Sequence, residues 1–200
     1  MYDIIEHRHR LAVWGAGRAY SRQGPGHTIA VARQLIENSK LNQINTPDDL
    51  PAADKMDAFI HERIHQVMAA SLPIRYTNKD KQVVPLQCTY GRAQKLVNMY
   101  LKLKIVCAGF EKHEKVHALH PPLDKVLLDA LFASKKVDCP DDLAKFQTAL
   151  ETAKQMGKAW TVFDRQTYDA YIAAIKVFQG KQPLWAAERL WNPERAKVAD

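Results

Sequence analysis

A chain of 200 residues, 46% apolar and 26% charged, is long enough to fill one core and too apolar to stay disordered. Lys and Arg outnumber Asp and Glu by 29 to 22, and the net charge of +7 suits a polyanionic partner, nucleic acid first. No apolar run approaches the roughly 18 residues of a membrane span, no signal-like apolar stretch opens the chain, and Cys88, Cys107 and Cys139 show no paired spacing, so the expectation is a cytoplasmic protein with neither disulfide frame nor membrane partner.

In chain order the sequence predicts helix nearly throughout. A first helix, about Tyr2 to Arg22, carries Leu11, Trp14, Ala16 and Ala19 behind the basic opening Glu6-His7-Arg8-His9-Arg10, and Gly24-Pro25-Gly26 breaks it. A second runs from Thr28, its N-cap, to Asn38, with Ile29, Ala32, Leu35 and Ile36 inward. Ser39 to Ala53, with Pro47 and Pro51 around Asp48-Asp49, reads as a linker. Met56, Phe59, Ile60, Ile64, Val67 and Met68 give Asp54 to Ala70 a helical period, which Pro73 ends. Ile74 to Leu86, containing Asn78-Lys79-Asp80-Lys81, is a hairpin or an extended loop.

The helix starting at Thr89 has no Pro, and past its first turn no Gly, before Gly109. At 3.6 residues per turn Lys95, Asn98, Met99 and Lys102 share one face, with Leu96, Tyr100, Leu103 and Cys107 roughly opposite. His120-Pro121-Pro122 cannot continue a helix, and Asp124 caps the next one, Lys125 to Ala133. Asp138-Cys139-Pro140-Asp141-Asp142 caps a helix that reaches Met156 and is closed by Gly157. Asp164 begins a helix through Phe178 with Tyr168, Tyr171, Ile172 and Ile175 inward, and Pro183 opens a last one carrying Trp185, Glu188, Leu190 and Trp191. No repeat of fixed period appears. The expected architecture is an all-α orthogonal bundle, a single domain over residues 1–200, with two lobes around a cleft as a variant of it.

The stretch from Thr89 to Asp124 sets a lysine helix ahead of a helix-opening aspartate. A carboxylate at a helix N-terminus is held in its charged form by the free N–H groups and the dipole. A lysine beside other cations, or out of water, gives up its proton more readily, and Lys102 and Arg92 are candidate cationic neighbours for Lys95. A competing motif is His61-Glu62-Arg63-Ile64-His65, which matches H-E-x-x-H and would put two histidines one turn apart for zinc with Glu62 as base. Arg63 would set a cation beside that ion, and although His113, His117 and His120 are candidate third ligands, they read first as a polar surface or DNA-backbone loop. The expectation is therefore no metal and no cofactor.

The pattern Gln94-Lys95, six residues, Lys102, then a long connection and Pro122-Leu123-Asp124 resembles the helix-hairpin-helix superfamily of DNA glycosylases, and most of all the archaeal type of 8-oxoguanine DNA glycosylase. The resemblance spans about the central fifth of the chain. It departs at the Leu-Pro-Gly-Val-Gly hairpin of the superfamily, where this chain has only Tyr90-Gly91-Arg92. The resemblance implies a monomer that flips a damaged or modified base from double-stranded DNA and excises it, with AP lyase activity. Lys95 would be the nucleophile and Asp124 the carboxylate that stabilises charge on the sugar. The first base it implies is 8-oxoguanine; another lesion, or a modified base of foreign DNA, would use the same pair. Gly91, Arg92, Lys102, Lys79 and Lys81 are the expected DNA contacts. Met99, Trp14, Trp185 and Trp191 are candidate base-pocket walls, with Trp160 a fourth tryptophan of the same type. Core packing is the alternative for each tryptophan, and a non-catalytic nucleic-acid-binding bundle is the alternative for the whole chain.

Overall fold

The computed structural model describes residues 1–21, 24–134 and 140–194. Among them are eight α-helices: α1 (Ile4–Tyr20), α2 (Ile29–Asn38), α3 (Met56–Ser71), α4 (Tyr90–Lys104), α5 (Glu114–His117), α6 (Lys125–Ala133), α7 (Pro140–Met156) and α8 (Arg165–Gln179). The one sheet among the described residues is an antiparallel pair, β1 (Arg75–Thr77) with β2 (Val83–Pro85), in which Tyr76 faces Val84. The fold is all-α apart from this hairpin, and among the described residues no helix is long and apolar enough to cross a membrane.

Helix starts follow the side chains that can cap them. Asp3, Thr28, Thr89, Asp124 and Asp164 each accept a hydrogen bond from a backbone N–H of the first turn, an arrangement worth about 1 kcal/mol per cap. The expected cap at Asp138 and Cys139 lies outside the described residues.

Helix α4 is the axis of the molecule. α1 and α3 pack against it, and the 3-10 turn Trp160–Val162 lies over its first turn, while α7 pairs with α8. Buried side chains from α1 through to Ala187 form one hydrophobic cluster. The lysine-bearing face of α4 is buried as well as the apolar one: Lys95 and Asn98, with Gln94 and Lys104, are buried together with Leu96, Val97, Tyr100 and Leu101, while Cys107, expected on the apolar side, is exposed. On α1 the covered side is Ala12, Val13, Ala16 and Tyr20, which leaves Leu11 and Trp14 exposed.

The expected linker at 39–53 is a packed connection. Leu41, Ile44 and Leu50 are in the core, and Asp49 ties down the turn by accepting from the N–H groups of Asn45 at 2.8 Å and Thr46 at 3.0 Å. The last predicted helix is a 3-10 helix, Leu184–Leu190.

One close approach fixes how the axis is seated. Gly91 N–H donates to Phe163 O at 3.0 Å, and a Cβ on Gly91 would stand 1.8 Å from Trp160 O. Because that neighbour is backbone, no rotamer change relieves it. Gly91→Ala should cost more than about 3 kcal/mol, read as a fall in denaturation midpoint. A midpoint within error of wild type would show that this seat is loose.

Candidate active site

Two prolines in a row leave the segment 119–124 with carbonyls to satisfy and few N–H groups to do it with. The polar side chains of α4 supply the missing donors. Gln94 clamps Leu123 from both sides, its Nε2 donating to Leu123 O at 2.8 Å and its Oε1 accepting from Leu123 N at 3.2 Å. Asn98 Nδ2 reaches the Tyr168 hydroxyl at 2.9 Å and Pro121 O at 3.4 Å. Lys95 Nζ donates to Pro122 O at 3.2 Å and to Asp124 Oδ2 at 2.8 Å.

Asp124 is fully engaged. Its Oδ1 accepts from Leu127 N at 2.9 Å as the cap of α6, and its Oδ2 also accepts from Trp191 Nε1 at 3.1 Å. Upstream, His120 is buried between the Tyr168 hydroxyl at 2.7 Å and Asp57 at 2.9 Å, and Asp57 also takes Lys176. The turn that presents Asp124 is thus anchored at His120, Pro121, Pro122 and Leu123.

A second ion pair lies beside the first. Lys102 Nζ meets Glu188 Oε2 at 2.7 Å, and the same ammonium sits 5.8 Å from the centre of the Trp191 ring. Trp191 therefore joins the two pairs, touching Asp124 through its indole N–H and Lys102 through its face. The segment Leu184–Trp191 covers the site: the Lys95 side chain is only 4% exposed and that of Glu188 only 8%.

Burial and pairing act on these groups in opposite directions. Burial lowers the Lys95 pKa below the ordinary lysine value, and the Asp124 carboxylate offsets part of that fall. For Asp124, burial pushes the pKa up, but the Lys95 charge and the hydrogen bonds from Lys95, Leu127 and Trp191 outweigh it, so the carboxyl lies below its usual range. Glu188 is raised by burial against the opposing pull of Lys102. The site therefore combines a lysine eased toward its neutral form with a carboxylate held charged.

Of the residues singled out from sequence, Lys95, Asp124, Lys102 and Trp191 are brought together. Met99 lies half-buried against the core, one turn from Lys95. Trp185 packs on the core with its indole nitrogen buried, Trp160 is buried over the start of α4, and Trp14 is exposed on α1. Gly91, expected at the DNA, is buried with its amide committed to Phe163. Arg92, expected beside Lys95, reaches Tyr20 O at 3.0 Å; the cation near Lys95 is Lys102. Lys79 and Lys81 are exposed at the hairpin tip. Glu188 is the member of the site with no local signal to select it, because its partner Lys102 lies on a distant helix.

Both ring nitrogens of His61 are already taken up within the fold. His61 Nε2 is 3.1 Å from Asp169, its Nδ1 meets the Tyr90 hydroxyl, and the His65 ring lies edge-on to Tyr90. Among the described residues no group of three or more His, Cys, Asp or Glu could hold a metal ion. Comparison with family models, with curated proteins and with solved structures returns no match, so the site is characterised by its geometry.

Proposed function

We propose that the chain is a monomeric DNA glycosylase of helix-hairpin-helix type with AP lyase activity, acting on double-stranded DNA in the cytoplasm, with 8-oxoguanine as its first candidate base. The observation that carries this reading is the pair Lys95–Asp124: a buried amine 2.8 Å from a carboxylate that caps a helix immediately after a proline turn. A buried ion pair is a poor stabiliser compared with apolar residues of the same volume, so stability alone gives little reason to keep one.

Base excision needs both groups. The target nucleotide must leave the stack before its glycosidic carbon can be reached. As the carbon–nitrogen bond to the base breaks, positive charge grows on the sugar, and a fixed carboxylate lowers that barrier. The Lys95 amine, once its proton is lost to solvent, forms the new bond to the sugar carbon while Asp124 stays charged, and the base departs with its bonding electrons and takes up a proton. Ring opening then gives a Schiff base, from which elimination breaks the 3′ carbon–oxygen bond. Because Trp191 and Glu188 lie over Lys95, a flipped nucleotide enters only when the segment 184–191 moves aside. A non-catalytic nucleic-acid-binding bundle is the second reading, favoured by how completely Lys95 is covered.

The test is a panel of single-lesion duplexes scored for base release, 8-oxoguanine first. Binding to the same duplexes should weaken steeply with salt, as Lys and Arg displace counterions from phosphates. Release of no base from any duplex, with binding intact, would leave the second reading. No detectable binding at low salt would remove both.

A further inference from the structure

Holding duplex DNA takes cations placed at its phosphates. We propose that the β1–β2 hairpin places them: it is a preformed two-stranded ribbon that carries Lys79 and Lys81 to the phosphates of duplex DNA. This rests on the DNA glycosylase reading and names the part of the protein that grips the substrate.

The ribbon has one anchored face and one free face. Tyr76 lies over the Gly24-Pro25-Gly26 turn, so close that a Cβ on Gly26 would stand 2.5 Å from its ring, and Leu86 N–H donates to Ile74 O at 2.9 Å where the ribbon joins the body. The alternate residues Arg75, Thr77, Val83 and Pro85 are exposed, Val83 to 71%. This outer face mixes apolar and basic groups, and neither Lys79 nor Lys81 has an acidic partner among the described residues. Three cations against Asp80 make it complementary to a polyanion, and a two-stranded ribbon has the width of a DNA groove.

The tip is built rather than slack. Asn78 Oδ1 accepts from Asp80 N at 3.0 Å and Gln82 N at 2.9 Å, while its own backbone exchanges bonds with Gln82 O and Lys81 N. Lys81 is thereby held at φ 61°, a left-handed conformation that Gly or Asn adopts more easily. Lys81 thus takes the left-handed position that closes a three-residue hairpin loop.

The turn position supplies the test, because glycine suits it. In Lys81→Gly the charge is lost and the backbone relaxed, so the melting temperature should stay level or rise while DNA binding weakens. Lys79→Ala combined with Lys81→Gly should lower the slope of log affinity against log salt by about two for a mixed-sequence duplex, and weaken binding about tenfold or more at moderate salt. The control removes the same charge elsewhere, at the exposed Lys112 and Lys181, both to Ala, and should change the slope much less. If the two double variants weaken binding equally, the hairpin is not the grip, although the glycosylase reading stands. A wild-type chain that binds no duplex, or prefers anionic vesicles to it, overturns both.

Discussion

Lys95→Gln will form no borohydride-stable adduct with a lesion duplex, whereas Lys102→Gln will still be trapped. The expectation follows from which amine is placed for chemistry. Lys95 Nζ is buried within hydrogen-bond distance of Asp124, and burial eases the loss of its proton. Lys102 is spent on Glu188 and on the face of Trp191. Because Lys95 is buried, its substitution carries a stability cost. Removing one partner of a buried pair costs about 3–5 kcal/mol, moderated here because Asp124 keeps its bonds to Leu127 and Trp191. The double variant Lys95→Gln with Asp124→Asn leaves no unpaired charge and serves as the folded, adduct-free control. Adducts that persist in Lys95→Gln and vanish in Lys102→Gln would move the nucleophile to Lys102.

Asp124→Asn should separate the two halves of the reaction. Asparagine still caps α6, but the charge that stabilises the developing sugar cation is gone, so base release should slow by on the order of 10²-fold or more. Lys95 responds in the opposite sense. Asp124 is what holds its pKa up against burial, so its removal lowers that pKa further and leaves more free amine at neutral pH. A duplex carrying a preformed abasic aldehyde needs no base to leave. On that substrate Asp124→Asn should be trapped at least as fast as wild type. Equal slowing on both substrates would mean that Asp124 acts by positioning the chain and not by its charge.

What the sequence determined by itself is local. Thr28, Thr89, Asp124 and Asp164 cap helices where their side chains reach the first-turn N–H groups, so the starts of four helices could be read from a few neighbouring residues. The proline turn before Asp124 follows in the same way from backbone chemistry, while the stretch before α4, open by sequence to a hairpin or an extended loop, is a hairpin. The tertiary structure alone decided which surfaces are covered. Gln94, Lys95 and Asn98 have the pattern of a solvated face, yet they are buried because the carbonyls of Pro121, Pro122 and Leu123 need donors. Periodicity reports that a helix has two kinds of face and says nothing of a polar partner packed on the polar one. The pairing of Lys95 with Asp124 spans 29 residues and that of Trp191 with Asp124 spans 67, and no local rule connects residues so far apart. Glu188 entered the site, and Trp14 stayed outside it, because of where the folded chain brings the segment 184–191 and leaves the outer face of α1.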